Sequence, residues 1–83
     1  MDNEKFIKRA KQLVKGCYNS HTNKPIPDDE IFVVWSCKTL QNNKALLATR
    51  MMDGMYYEVT YNGDKGEFYL DVYKKQENIC YKE

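Results

Sequence analysis

The sequence predicts an α+β domain: one N-terminal helix packed on a four-stranded antiparallel β-meander, order 1-2-3-4. Three observations predict it. Apolar residues recur at helical spacing from Phe6 to Cys17. Alternating runs fill Ile31 to Lys75. Turn-forming residues divide those runs at Asn42-Asn43, Asp53-Gly54 and Asn62-Gly63-Asp64-Lys65, where positive φ is tolerated.

The helix is expected over about residues 3–17. Phe6, Ala10, Leu13, Val14 and Cys17 share a stripe, with Ile7 on its margin. Asp2 or Asn3 supplies a cap acceptor, and Glu4 suits the positive end of the helix dipole. Gly16 and Asn19 mark the stop region. The segment 19–29 follows as a loop, because Pro25 and Pro27 forbid regular helix there.

The strands are expected at about 31–40, 44–52, 55–61 and 66–75. Turn length sets register, and register sets which side chains share a face. Two-residue turns at Asn42-Asn43 and Asp53-Gly54 place Cys37 opposite Ala48, and Ala48 opposite Val59. A turn at Gly63-Asp64 places Val59 opposite Phe68. One face then collects Ile31, Val33, Trp35, Cys37, Leu46, Ala48, Met52, Met55, Tyr57, Val59, Phe68, Leu70 and Val72. That face belongs under the helix, with Trp35 in the core. The other face collects Phe32, Val34, Leu47, Met51, Tyr56, Glu58, Tyr69, Asp71 and Tyr73, together with Ser36, Lys38, Thr49 and Thr60. Lys38, Lys74 and Lys75 discourage pairing at the two sheet edges. The tail from Gln76 is read as a short turn or a cap on one edge.

A chain of 83 residues makes one small domain, residues 1–83, that buries roughly 60% of its unfolded surface. With 42% hydrophobic and 30% charged residues it reads as folded rather than disordered. No apolar run approaches the ~18 residues of a membrane span, and MDNEKFIKRA has no signal-peptide core. Three widely spaced cysteines, Cys17, Cys37 and Cys80, read as reduced thiols of a cytoplasmic protein.

Net charge is +1, unevenly spread. Residues 1–24 carry six basic side chains against two acidic, and the remainder seven against ten. The outer helix face, with Lys5, Lys8, Arg9, Lys11 and Lys15, is therefore the candidate nucleic-acid surface. It lacks base-reading pairs and interleaved aromatics, and the same pattern serves to keep an amphipathic helix solvated.

The outer sheet face is the first candidate site. An open face ordinarily reads Thr, Lys and Glu. This one bears Phe32, Val34, Leu47, Met51, Tyr56, Tyr69 and Tyr73 with Glu58 and Asp71, residue types that mark interfaces. Another protein, or a second copy of the chain, is the expected partner. Glu58, Asp71 and the tyrosines form a weaker alternative as a small-ligand or acid–base site, since on a flat sheet both carboxylates stay ionised. Cys17 with His21 and Asp28 or Asp29 is read as carrying no chemistry, His21 being a loop histidine, because no local motif supports a triad. One histidine and no Cys-x-x-Cys give no metal site, the glycines form no phosphate loop, and no cofactor is implied. The expectation is a protein that is not an enzyme.

The strings VVWSCKTLQNNKALLAT and DGMYYEVTYNGDKGEFYLDVYKKQENIC carry a resemblance. Over roughly Ile31 to Cys80 the chain resembles a family of small uncharacterised proteins encoded by phages and prophages of Firmicutes. The resemblance implies a short accessory protein expressed in a bacterial host cytoplasm, with a host or phage protein as its partner, and it brings no catalytic residues.

Overall fold

The computed structural model describes residues 1–83. Helix α1 spans Asn3–His21, followed by a single 3-10 turn at Asp28–Glu30. Strands β1 (Ile31–Thr39), β2 (Asn42–Thr49), β3 (Met55–Asn62) and β4 (Glu67–Lys74) form one antiparallel sheet in the order 1-2-3-4. The expected fold class and strand order are both found.

Asp2 caps α1 by accepting from the Lys5 backbone N–H at 2.9 Å. The helix runs four residues beyond the expected stop at 17. Gly16 is exposed within it, with open space where a Cβ would stand. Instead the Cys17 carbonyl is capped by Ser20 Oγ at 2.7 Å and faces His21 Nδ1 at 2.8 Å, and the backbone turns extended at Thr22. Asn19 Oδ1 then accepts from the Ile26 backbone N–H at 3.0 Å. That bond seats Ile26 in the core at 1% exposure, so part of the segment read as a loop is core.

The core lies between α1 and the sheet. Phe6, Ala10 and Val14 are fully buried against Ile26, Ile31, Ala45, Leu47, Tyr57 and Val59. Ile7, Leu13, Cys17 and Tyr18 flank them. The Phe6 and Phe68 rings stack at 6.4 Å, and Tyr61 tilts against Phe68 at 4.8 Å. The helix crosses β1, β2 and β3 and leaves much of β4 uncovered.

All three registers differ from expectation. The first turn is Leu40-Gln41, with Leu40 at φ 54°, not Asn42-Asn43. The tips of the two hairpins bind one another here. Asn42 Oδ1 accepts from the Gly63 N–H at 3.0 Å, and the Gln41 amide donates to Asp64 at 2.8 Å. Gly63 lies so close to the Gln41 carbonyl that a Cβ would collide with it. This tip contact outweighs the local preference of Asn-Asn for a turn. The second connection is five residues long, Arg50–Gly54, rather than the two-residue Asp53-Gly54. Ala45 now pairs with Val59 and Leu47 with Tyr57, an odd shift. An odd shift inverts a whole strand, so Leu47 and Ala45 face the helix, while Leu46 and Ala48 face outward.

In β1, Val33 pairs with Leu47 but Trp35 pairs with Leu46, which leaves Val34 as the extra residue of a bulge. Ile31 and Val33 therefore face inward as expected. Trp35 and Cys37 are turned outward, and Trp35 is 43% exposed rather than in the core. Ser36 and Lys38, opposite Ala45 and Asn43, fall on the helix side, as does Thr49 opposite Ile31. Met52, expected in the core, is 95% exposed at φ 55° in the turn. Strand β4 shifts by two residues, which preserves its faces: Leu70 pairs with Val59 and Val72 with Tyr57.

Candidate functional site

The outer face of the sheet is laid out in cross-strand rows. Trp35, Leu46, Glu58 and Asp71 form one row, and Cys37, Lys44, Thr60 and Tyr69 the next. Phe32 pairs with Ala48, and Tyr56 with Tyr73. The β1–β2 half carries an apolar cluster, with Phe32, Trp35 and Leu46 around the small, buried Ala48, and Lys44 beyond it. The β3–β4 half alternates tyrosines with carboxylates.

Of the residues expected here, Phe32, Tyr56, Glu58, Tyr69, Asp71 and Tyr73 are on the face. Leu47 is not; the β2 inversion buries it completely. Val34 sits in the bulge and Met51 in the 50–54 turn, both exposed but outside the rows. Trp35, Cys37, Lys44, Leu46 and Ala48 are the face residues the sequence reading missed. The bulge that presents Trp35 leaves no mark in a run of β-formers such as IFVVWSCKT.

Hydrogen bonds connect the acidic half. Tyr73 Oη donates to Glu58 at 3.4 Å, Tyr69 Oη donates to Glu67, and Lys44 Nζ lies 3.7 Å from Glu58. Both phenols titrate above the ordinary tyrosine range: Tyr69 because its hydroxyl is held by Glu67, Tyr73 because the Glu58 and Asp71 charges oppose a third anion. They remain neutral donors at physiological pH. At the corner of the face the Arg50 guanidinium lies 5.0 Å from the Phe32 ring centroid and donates to the Asp29 carbonyl at 2.6 Å.

Nothing in the chain covers this face. The protein is a slab 19 Å in its thin direction, enough for one helix layer on one sheet layer. Residues 75–83 have no regular structure and are all exposed, with Ile79 at 53% and Tyr81 at 85%. The tail is tied down at its start, where the Lys75 N–H donates to the Gly54 carbonyl at 2.8 Å.

The basic helix face splits in two. Arg9 bends towards β4, 5.9 Å from the Phe68 ring centroid and 3.2 Å from Gln12. Lys8, Lys11 and Lys15 line a shallow cleft of about 330 Å³ with Gln12, Asp28 and Ile31, while Lys5 stays exposed at the helix start. Lys15 is paired with Asp28 at 2.7 Å.

Cys17, His21, Asp28 and Asp29 do not assemble. Asp28 binds Lys15, Asp29 offers its carbonyl to Arg50, and His21 Nδ1 is turned to the Cys17 carbonyl. All three cysteines are free thiols, and no three His, Cys, Asp or Glu side chains converge as metal ligands. No helix is long and apolar enough to cross a membrane.

The profile of the Family of unknown function (DUF6275) matches residues 7–83. The chain belongs to this family. The match takes in nearly all of α1 and the whole sheet. No curated protein and no solved structure matches the chain.

Proposed function

We propose that this DUF6275 protein is a non-enzymatic interaction module that docks a protein partner on its outer sheet face. The observation that carries the reading is the uncovered Phe32–Trp35–Leu46 cluster beside the Tyr56–Tyr69–Tyr73 rows, with Trp35 at 43%, Tyr69 at 44% and Tyr73 at 51% exposure. Aromatic side chains present large contact area at small entropic cost, and Trp and Tyr dominate binding hot spots. Glu58, Glu67 and Asp71 add negative charge on one side, which favours a partner with a basic rim around an apolar centre. The resemblance of Ile31–Cys80 to proteins encoded by phages and prophages of Firmicutes supports an accessory role in a bacterial host cytoplasm, with a host or phage protein as the partner.

The test is capture by the purified chain from cells that carry its gene. The bound protein should be lost with Trp35→Lys and Tyr73→Lys, and retained with Lys8→Glu/Lys11→Glu. Capture that ignores both face substitutions refutes the reading. Sedimentation at micromolar concentration distinguishes a second copy on this face from a monomer that waits for another protein.

Nucleic-acid contact is the second reading, favoured by the cleft that gathers Lys8, Lys11 and Lys15. Affinity for duplex DNA or RNA should then fall steeply from about 50 to 200 mM salt and with Lys8→Glu/Lys11→Glu. No retardation at low salt refutes it.

A further inference from the structure

A cavity of about 270 Å³ opens where the last turn of α1 meets the β3–β4 end of the sheet. It exists because the helix does not extend over β4, so Val72 faces the helix layer without being covered and is 45% exposed. Tyr18, Met55, Tyr57 and Val72 supply apolar walls, and Cys17, His21, Thr22 and Asp53 complete the rim.

Two features of the rim favour a cation, an acidic side chain and a helix end. Asp53 is partly buried, and its carboxylate accepts from the Met55 N–H at 3.1 Å and the Tyr57 hydroxyl at 2.9 Å. A carboxylate has about four acceptor sites, so two remain open. Asp53 forms no ion pair, and neither Lys nor Arg lines the cavity. The C-terminal end of α1 adds partial negative charge through carbonyls that have no intrahelical partner. His21 Nδ1 is turned to the Cys17 carbonyl at 2.8 Å, so that nitrogen is engaged with the helix end.

We propose that this cavity binds a small apolar amine, its ammonium held by Asp53 at the negative end of α1 and its hydrocarbon body between Tyr18, Met55, Tyr57 and Val72. An apolar cavity of about 150 Å³ accommodates benzene, so this larger space takes one ring with a short aminoalkyl arm. The tyrosine rings at the wall favour a cation over a neutral group of the same shape. Anions are disfavoured by Asp53 and by the helix end together. The site lies on the helix side of the sheet, away from the outer face, and is independent of the docking reading.

The experiment is a ¹H–¹⁵N NMR titration of the full chain with 2-phenylethylamine, and with 2-phenylethanol and phenylacetate as neutral and anionic counterparts. The amine should give saturable shifts at His21, Thr22 and Asp53 to Tyr57. The alcohol should bind about tenfold more weakly, as expected for the loss of about 1.4 kcal/mol of charge interaction, and the acid should not bind. Asp53→Asn keeps one acceptor oxygen for the Met55 N–H and turns the other contact round, its Nδ2 donating to the Tyr57 hydroxyl oxygen, and should reduce amine affinity to that of the alcohol. Val72→Phe, at a half-exposed position that tolerates bulk, should fill the space and abolish binding while the rest of the spectrum is unchanged. Equal binding of all three probes, no shifts up to about 10 mM amine, or shifts confined to the outer face overturn the proposal. Should Asp53→Asn not fold, the ranking of the three probes and the Val72→Phe result still decide it.

Discussion

Asn43 is 1% exposed, faces the helix side of the sheet, and neither Oδ1 nor Nδ2 of its side chain has a hydrogen-bond partner. A buried polar group left unpaired costs about 1–3 kcal/mol. Asn43→Leu retains the branch at Cγ and replaces both orphaned atoms by methyl groups of similar placement. At the low end of that range the two groups together give a gain of about 2 kcal/mol. For a domain this small, 1 kcal/mol corresponds to about 4–8 °C in Tm, so the midpoint should rise by about 10 °C. Asn43→Ala removes the same orphaned atoms but leaves a void, and the two effects should nearly cancel. Circular dichroism melts give the midpoints, and urea titrations at unchanged m-value confirm that stability alone has moved. A Leu variant that melts at or below the wild type refutes the reasoning: it would mean that the Asn43 amide contributes bonding the fold depends on.

Three further outcomes follow from the same geometry. Leu47→Ala should cost about 2–5 kcal/mol, whereas Trp35→Ala, on the open face, should cost less than half as much despite the larger side chain; the reverse order in chemical denaturation would restore the uninverted β2 and unbulged β1. Gly63→Ala must separate the two hairpin tips at the Gln41 carbonyl and should lower stability by about 2 kcal/mol or more, which an unshifted thermal midpoint would contradict. Burial, and then the Asp53 carboxylate that accepts its proton, hold the Tyr57 phenol well above its ordinary value of 10.0. The folded state therefore favours the protonated phenol, and this stability is complete below about pH 10 and lost as pH rises beyond it, by up to about 1.4 kcal/mol per pH unit. Urea midpoints between about pH 9 and 11.5 should fall less steeply for Tyr57→Phe than for wild type; parallel slopes would place the phenol in an ordinary environment.

Much of this protein is legible in local sequence pattern. The helical stripe from Phe6 to Cys17, the Asp2 cap, four strands and their meander order all follow from periodicity and turn chemistry, because such signals act over a few residues. In β3 and β4 the faces follow too: an even register shift leaves alternation intact, so Tyr56, Glu58, Tyr69, Asp71 and Tyr73 lie where their spacing puts them. What only the tertiary structure decided is the composition of the other half of the outer face and the cavity behind it. The contact between hairpin tips, Asn42 to Gly63, drew Asn42-Asn43 into a strand. The five-residue connection Arg50–Gly54 moved β2 by an odd number of residues, and the bulge at Val34 did the same for part of β1. Side chains alternate with period two, so each odd step exchanged inside for outside. Leu47 went into the core and Trp35 came out of it, although neither residue's neighbours in sequence distinguish the two outcomes. The Asp53–Tyr57 cavity arises in the same way, from where the helix ends relative to β4, a distance that depends on packing between elements rather than on any local pattern.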